Sequence, residues 1–230
     1  MAENAPFGNL KVQDLFGGII PAVRLDVSTY LLRANASVAG KLAAHDAAAH
    51  LLAVSSLFSD IKIQNKESGR PYAEIVDDLW PVLAKNGIID IPVSIAHDGG
   101  VALGIAAAET AATPGLRVGM DVTTIERMEE SLKRGIKRLM TPEEIEEING
   151  DPVALAERFT LKEAIMKVYG TGNSHGMYFR NIRTHESNGK MSIELQNEAL
   201  VHQERLAFNH LHIRHAQDRN FVAAFVLAHR

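Results

Sequence analysis

A turn and the strand that follows it recur in this chain at a spacing of about 120 residues. The Gly69-Arg70-Pro71 turn is matched by Gly189-Lys190, and a strand that ends at His97 is matched by one that ends at His215. A long helix-forming run precedes each copy, and a hairpin return follows it. Agreement in both order and spacing indicates an internal repeat, although two unrelated segments with similar turns would be an alternative explanation.

The repeat predicts the fold class. A chain of 230 residues can form one large domain or two small ones, and its predicted helices and strands alternate within each half. We therefore expect an α+β protein built as a pseudo-dimer of two similar halves. The Pro114-Gly115 break places the boundary between an N-terminal half, residues 1–114, and a C-terminal half, residues 115–230. The functional site is expected at the interface between them.

Local patterns predict the main elements of the first half. The apolar segment 18–27 is expected to form a strand, and the Ala- and Leu-rich segment 38–58 is expected to form a helix. Residues 73–85 suggest a helix or irregular structure. The apolar runs 91–96 and 101–108 are joined by His-Asp-Gly-Gly, which is typical of a hairpin.

In the second half, a strand is expected over 116–121 and a helix over 124–134. Thr141-Pro142 and Asp151-Pro152 are typical helix starts, with a capping side chain followed by proline. The remaining predicted elements are strands at 180–185 and 190–195, a helix at 197–208, and a closing hairpin of 211–215 with 221–227.

Composition narrows the chemistry. The chain has no cysteine, which excludes disulfides, thiolate metal sites and a cysteine nucleophile. We expect a cytoplasmic protein, because no secretory signal is visible and no apolar run approaches the about 18 residues of a membrane span. A net charge of −4 argues against general nucleic-acid binding, but a local basic pocket for a small polyanion remains compatible with it.

Acidic and basic side chains in the second half suggest a metal and phosphate site. Asp121 ends a predicted strand, and Lys162, Glu163 and Lys167 lie on a predicted helix. Asp121 and Glu163 could supply the one or two carboxylates that Mg²⁺ uses together with substrate phosphates, and the two lysines could neutralise a pyrophosphate. The simpler alternatives are a helix cap at Asp121 and a surface Glu163–Lys167 pair.

Several motifs in combination resemble the 4′-phosphopantetheinyl transferases, whose signature is Gly-x-Asp followed by Trp/Phe-x-x-Lys-Glu-Ala/Ser-x-x-x-Lys. Here these motifs are Gly119-Met120-Asp121 and Phe159-Thr160-Leu161-Lys162-Glu163-Ala164 with Lys167. The Gly69-Arg70-Pro71 turn and the strand ending at His97 extend the similarity into the first half. The length and the internal repeat fit the surfactin-type branch, a monomeric pseudo-dimer, rather than the half-length trimeric branch.

The resemblance implies a reaction and its participants. The chain would transfer the 4′-phosphopantetheine arm of CoA to a serine of an apo acyl or peptidyl carrier protein and release 3′,5′-adenosine bisphosphate. It would act as a monomer or as part of a larger synthase, with neither nucleic acid nor a membrane as a partner. The resemblance assigns Mg²⁺ to Asp121 and Glu163 and deprotonation of the serine to Glu144. The CoA contacts it implies are Lys41, Arg70, His97, Lys162 and Lys167.

Two positions depart from the family pattern. Thr123 stands where the longer branch usually carries a third acid, and Asp46 replaces an arginine that binds CoA in related sequences. These departures leave open a non-catalytic relative that binds CoA or a carrier domain. A second alternative is a different Mg²⁺-dependent phosphate-transfer enzyme that uses the same cluster of acids and lysines.

Overall fold

The computed structural model describes Phe7, Phe16 and residues 25–31, 35–54 and 60–230. In the first half, the described helices and strands alternate as the repeat predicts. They are β1 (Leu25–Leu31), α1 (Ala36–Leu51), β2 (Ile61–Asn65), β3 (Pro71–Ile75), α2 (Trp80–Lys85), β4 (Val93–Asp98) and β5 (Val101–Ala107).

The second half contains more helix than the first. Its elements are β6 (Arg117–Thr124), α3 (Ile125–Arg134), α4 (Pro142–Ile148), α5 (Pro152–Tyr169), β7 (Ile182–Ser187), β8 (Lys190–Leu195), α6 (Leu200–Leu206), β9 (His210–Gln217) and β10 (Phe221–His229).

Side-chain caps set the ends of the main helices. The Asn35 side chain accepts a hydrogen bond from the backbone N–H of Ser37 at the start of α1, and Asp151 does the same for Val153 at the start of α5. These bonds satisfy N–H groups that have no partner within the helix. Gly170 ends α5 with φ +71°, a left-handed conformation that glycine adopts at little cost.

The two halves share one topology. Among the described residues, the first half has a sheet of order β1-β5-β4 and the second a sheet of order β6-β10-β9, so in each the last strand lies between the first and the penultimate ones. Each half also has a separate two-stranded hairpin, β2-β3 or β7-β8. The long helices α1 and α5 each pack on the sheet of their own half. The prediction of an α+β protein with two similar halves is confirmed.

Most element predictions agree with the structure, and the exceptions have local causes. The strand predicted over 18–27 falls mainly outside the described residues, which contain a strand at Leu25–Leu31. The described part of the predicted helix 38–58 ends at Leu51, and residues 55–59 lie outside the description. The prediction of a helix or irregular structure is wrong for residues 73–75. They belong to β3 and pair with Ile61–Ile63 in the β2-β3 hairpin.

Polar contacts and a shared core join the halves. The backbone N–H of Met120 in β6 donates to Ser94 Oγ in β4 at 3.1 Å, and Thr123 Oγ1 donates to Asp98 Oδ2 at 3.0 Å. Leu103 and Phe225, one from each half, belong to the same buried apolar cluster. The predicted boundary at residue 114 falls in the connection between β5 and β6 and stays a prediction. None of the described helices is long and apolar enough to cross a membrane.

The close packing of β6 against α5 depends on Gly119. A Cβ at this position would lie 2.1 Å from the Ala164 carbonyl oxygen, and a backbone atom inside a helix cannot move aside. We expect Gly119→Ala to lower the free energy of unfolding by about 3 kcal/mol or more, as measured by urea denaturation. Gly40→Ala is the matched control, because its added Cβ meets only the Ile95 side chain; an equal loss in both variants would contradict the argument.

Candidate functional site

Lys167 occupies the junction of the two halves. Its ammonium donates three hydrogen bonds: to the Ile95 carbonyl in β4 at 3.0 Å, to the Met120 carbonyl in β6 at 2.7 Å, and to Asp121 Oδ1 at 2.9 Å. An ammonium group has three donors, so each one is used. Lys167 therefore connects the first half to the second and holds the Asp121 carboxylate in place.

Two carboxylates meet beside this lysine. Burial raises the pKa of Asp121 above its ordinary value, and the Lys167 ammonium partly offsets that shift. Burial also raises the pKa of Glu163, the negative charge of Asp121 raises it further, and Lys167 and Arg127 oppose the change. A carboxyl group whose pKa is raised by a neighbouring carboxylate, as Asp121 raises that of Glu163, lies where a bound cation would relieve the repulsion. Because carboxylate oxygens are the ligands that Mg²⁺ prefers, Asp121 and Glu163 fit the magnesium ion that the sequence predicts.

A cleft of about 350 Å³ adjoins the junction. From the first half it is lined by Lys41, Arg70 and His97, and from the second by Lys167 and the Gly170–Gly172 turn. The structure thus brings the three predicted CoA contacts of the first half to the same cavity as Lys167. Burial lowers the pKa of Arg70, and Asp90 opposes that shift.

Arg117 is a cationic residue near this cleft that the sequence analysis did not single out. It begins β6, donates from Nη1 to the Val168 carbonyl at 3.2 Å, and lies beside Gly170, as Arg70 does. Burial and the nearby charges of Arg70, Arg205 and Arg230 lower the pKa of Arg117 to about 10. Guanidinium groups that repel one another in this way favour an anion between them. The sequence held a signal for this residue, since Arg117 and Asp121 lie four apart on one face of a strand.

Lys162 and Glu144 do not reach the cleft, which argues against the CoA contact and the catalytic base predicted for them. Both side chains are fully buried. Lys162 Nζ donates to Glu144 Oε2 at 2.7 Å and to the carbonyls of Leu139 and Phe179, so no donor is left for a phosphate.

Glu144 is held equally firmly. It accepts from the backbone N–H of Thr141 in the capping box of α4, and from the backbone N–H and the hydroxyl of Thr184 in β7. Burial opposes its ionisation, but the Lys162 ammonium and these hydrogen bonds outweigh burial and lower the pKa of Glu144. A saturated, buried carboxylate cannot contact the serine of a carrier protein, and the pair instead ties α4, α5 and β7 together.

The two departures from the family pattern have separate places in the structure. Thr123 is buried and its hydroxyl bonds Asp98, so it contributes to the contact between the halves. Asp46 pairs with the neighbouring His45 at 3.2 Å and does not line the cleft.

The second copy of the repeat has different chemistry. A groove there is lined by Lys190 and His215, the counterparts of Arg70 and His97, but Glu157 lies on its helix where the first copy has Lys41. His215 Nε2 donates to the Glu157 carbonyl at 3.1 Å, and burial lowers the pKa of His215 to about 4. Glu157 and Glu186 offset Lys190 and Arg214 in this groove, and the histidine is neutral. The groove therefore carries less positive charge than the cleft of the first copy.

Comparison with known proteins identifies the family. Residues 117–226 match the model of the 4′-phosphopantetheinyl transferase superfamily. A holo-[acyl-carrier-protein] synthase from Aliivibrio salmonicida is 33% identical over 118 residues, which cover 94% of that protein and 48% of this chain. The chain belongs to the 4′-phosphopantetheinyl transferase superfamily. The same matches confirm the prediction that it is a 4′-phosphopantetheinyl transferase.

Solved structures of holo-[acyl-carrier-protein] synthases also match about half of this transferase. The holo-[acyl-carrier-protein] synthase of Neisseria meningitidis is 31% identical, with a TM-score of 0.45, and covers 49% of this chain and 97% of its own. The Helicobacter pylori synthase, solved in complex with coenzyme A, is 27% identical with a TM-score of 0.44.

Proposed function

We propose that this transferase moves the 4′-phosphopantetheine arm of CoA to a serine hydroxyl of an apo acyl or peptidyl carrier protein. The observation that carries the proposal is Lys167, which lines a cationic cleft between the two halves and holds Asp121, with Glu163 beside them. Related proteins are named holo-[acyl-carrier-protein] synthases, and a cleft lined by residues of both halves suits a phosphorylated nucleotide.

In this proposal the two halves, residues 1–114 and 115–230, share one active site. Arg70, with Arg117 near it, would hold the 3′-phosphate of CoA, and Lys41 and His97 would contact the rest of the nucleotide. Lys167 has every donor engaged, so it would orient Asp121 and add positive charge to the cleft wall. A direct phosphate contact by Lys167 would require one of these bonds to be exchanged.

Asp121 and Glu163 would hold Mg²⁺, which would neutralise charge on the pyrophosphate of CoA. The serine oxygen would attack the phosphorus that carries the pantetheine arm, and the bond from that phosphorus to the departing 3′,5′-adenosine bisphosphate would break. Phosphoryl-type transfer needs positioning and charge neutralisation rather than an enzyme nucleophile. Glu144 is sealed away from the cleft and Glu163 is assigned to the metal, so a water molecule in the cleft would accept the serine proton.

Mass spectrometry tests the proposal directly. We expect an apo acyl carrier protein or an apo peptidyl carrier domain to gain the mass of phosphopantetheine when incubated with the full chain, CoA and Mg²⁺. The gain should disappear when the divalent ion is removed with a chelator. Binding of CoA without modification of either carrier would instead support the non-catalytic alternative, and turnover of a nucleoside triphosphate would support a different phosphate-transfer enzyme.

Arg70 provides a test of the nucleotide's orientation. We expect Arg70→Met to raise KM for CoA by about tenfold or more, because a charge-assisted contact to phosphate is lost. The increase should be much smaller with 3′-dephospho-CoA, which lacks the group that Arg70 would contact. Lys62→Met is the control, as Lys62 is exposed on the same hairpin; equal losses with both substrates would contradict the assignment to the 3′-phosphate.

A further inference from the structure

Three histidines form a cluster on the sheet of the second half, outside the cleft. His210 and His212 lie two residues apart on β9, and His229 of β10 pairs directly with His210 in the antiparallel register. Residues two apart on a strand, and residues paired across strands, share one face of a sheet. The three imidazoles therefore project from the same face of β9-β10.

The rings lie nearly parallel and close together. The centroids of His210 and His229 are 4.5 Å apart, and His212 lies 6.2 Å from His210 and 5.9 Å from His229. Each ring offers one nitrogen, and these nitrogens lie within 4.8 Å of one another. Zinc bound by imidazole has Zn–N distances of about 2.1 Å, which place neighbouring ligand nitrogens about 3.4 Å apart. Because each nitrogen lone pair lies in the plane of its ring, binding would also require His210 and His212 to rotate out of the stack, which brings the three nitrogens toward one point.

His229 is already oriented as a metal ligand would be. Its side chain is buried, and its Nδ1 lies 3.1 Å from the carbonyl oxygen of Arg230. A carbonyl only accepts, so Nδ1 carries the proton and Nε2 keeps its lone pair. A backbone carbonyl that fixes the tautomer in this way is the usual outer partner of a ligating histidine. Within the described residues, the imidazoles of His210 and His212 have no hydrogen-bond partner, so no hydrogen bond has to break for either ring to turn.

The ligand atoms of the cluster select the class of ion. Among the residues that the structure describes, no Asp or Glu belongs to the cluster, so it lacks the carboxylate ligands that Mg²⁺ and Ca²⁺ prefer. A set of three imidazoles suits Zn²⁺ and its neighbours in the first transition series.

We propose that His210, His212 and His229 bind one first-row transition-metal ion of the Zn²⁺ type. Three protein ligands leave the fourth tetrahedral position for water or another small ligand. The ion would join β9 to the end of β10, the strand that also pairs with β6 and the segment carrying Asp121. This site is separate from the carboxylates assigned to Mg²⁺, and it does not depend on transferase activity.

Zinc titration of the chelator-treated full chain tests the site. We expect one equivalent of Zn²⁺ to bind in the Asp121→Asn background, in which the other metal site is impaired, and to raise the thermal unfolding midpoint. His210→Gln and His212→Gln should each weaken binding by about tenfold or more, and the double variant should lose the thermal shift. Both positions are at least partly exposed, so these variants should keep the fold.

His185→Gln is the matched control, because His185 lies on the partly exposed face of the β7-β8 hairpin. It should bind Zn²⁺ as the unsubstituted chain does. X-ray absorption of the zinc complex should show a first shell with imidazole nitrogens. Absence of stoichiometric binding, or binding that persists unchanged in the His210→Gln/His212→Gln double variant, would overturn the proposal and leave the cluster as a stack of rings.

Discussion

Asp121→Asn is expected to reduce kcat for phosphopantetheine transfer by about 10²- to 10³-fold, the loss typical of removing one group that stabilises transition-state charge. The substitution preserves the size of the side chain and leaves an oxygen that can still accept from Lys167. It removes the negative charge that, with Glu163, is proposed to hold Mg²⁺. Steady-state transfer to an apo carrier protein, followed by mass spectrometry, measures the effect.

The same variant should remain folded, and this separates chemistry from stability. Burial raises the pKa of Asp121, so the folded chain holds the charge of this group at some cost. We expect the free energy of unfolding of Asp121→Asn to stay within about 1 kcal/mol of the original value. Glu126→Gln is the control, because Glu126 is an exposed acid on the neighbouring helix α3. Near-normal turnover in Asp121→Asn would contradict the assigned role.

Lys162→Met is expected to lower the free energy of unfolding by about 3–5 kcal/mol, because it leaves the Glu144 carboxylate buried without its counter-charge. The two groups are fully buried and 2.7 Å apart, so water cannot replace the lost ammonium. Urea denaturation measures the change. The double variant Glu144→Gln/Lys162→Met should recover part of the loss, since it removes the unpaired charge as well.

An exposed ion pair supplies the control for this comparison. Arg134 and Glu130 lie 3.7 Å apart on the surface of α3, and pairs of this kind contribute little. Arg134→Met should therefore leave stability nearly unchanged. If Lys162→Met kept full stability and lost only its affinity for CoA, Lys162 would be the phosphate contact that the sequence suggested and would not have the structural role proposed for the Lys162–Glu144 pair.

The helix α5 shows why the sequence alone misjudged Lys162. Lys162 and Lys167 are five residues apart, which places them about 140° apart around a helix, so the two cannot face one phosphate together. Glu163 and Lys167 are four apart and share a face, and these are the two that adjoin Asp121. Twelve of the eighteen residues of α5 are buried, so an apolar stripe could not reveal which side faced the cleft.

Glu144 was misjudged for a related reason. Thr141 and Glu144 have the spacing of a capping box. Thr141 was predicted to cap the start of the helix, whereas the family resemblance implied a catalytic role for Glu144. Within the capping box, Glu144 Oε2 accepts a hydrogen bond from the backbone N–H of Thr141. Lys162 and Thr184, 18 and 40 residues away, supply the rest of its contacts, and no local pattern could have indicated those partners.

The sequence by itself determined the α+β class, the two-fold repetition, most helix and strand positions, and the family motifs. Turn residues, capping side chains and apolar periodicity act over a few positions, so they can be read along the chain. The tertiary structure decided which polar side chains reach the junction of the halves. It placed Lys167 across β4 and β6, added Arg117 to the cationic group near the cleft, and buried Lys162 with Glu144, because those outcomes depend on packing between distant segments.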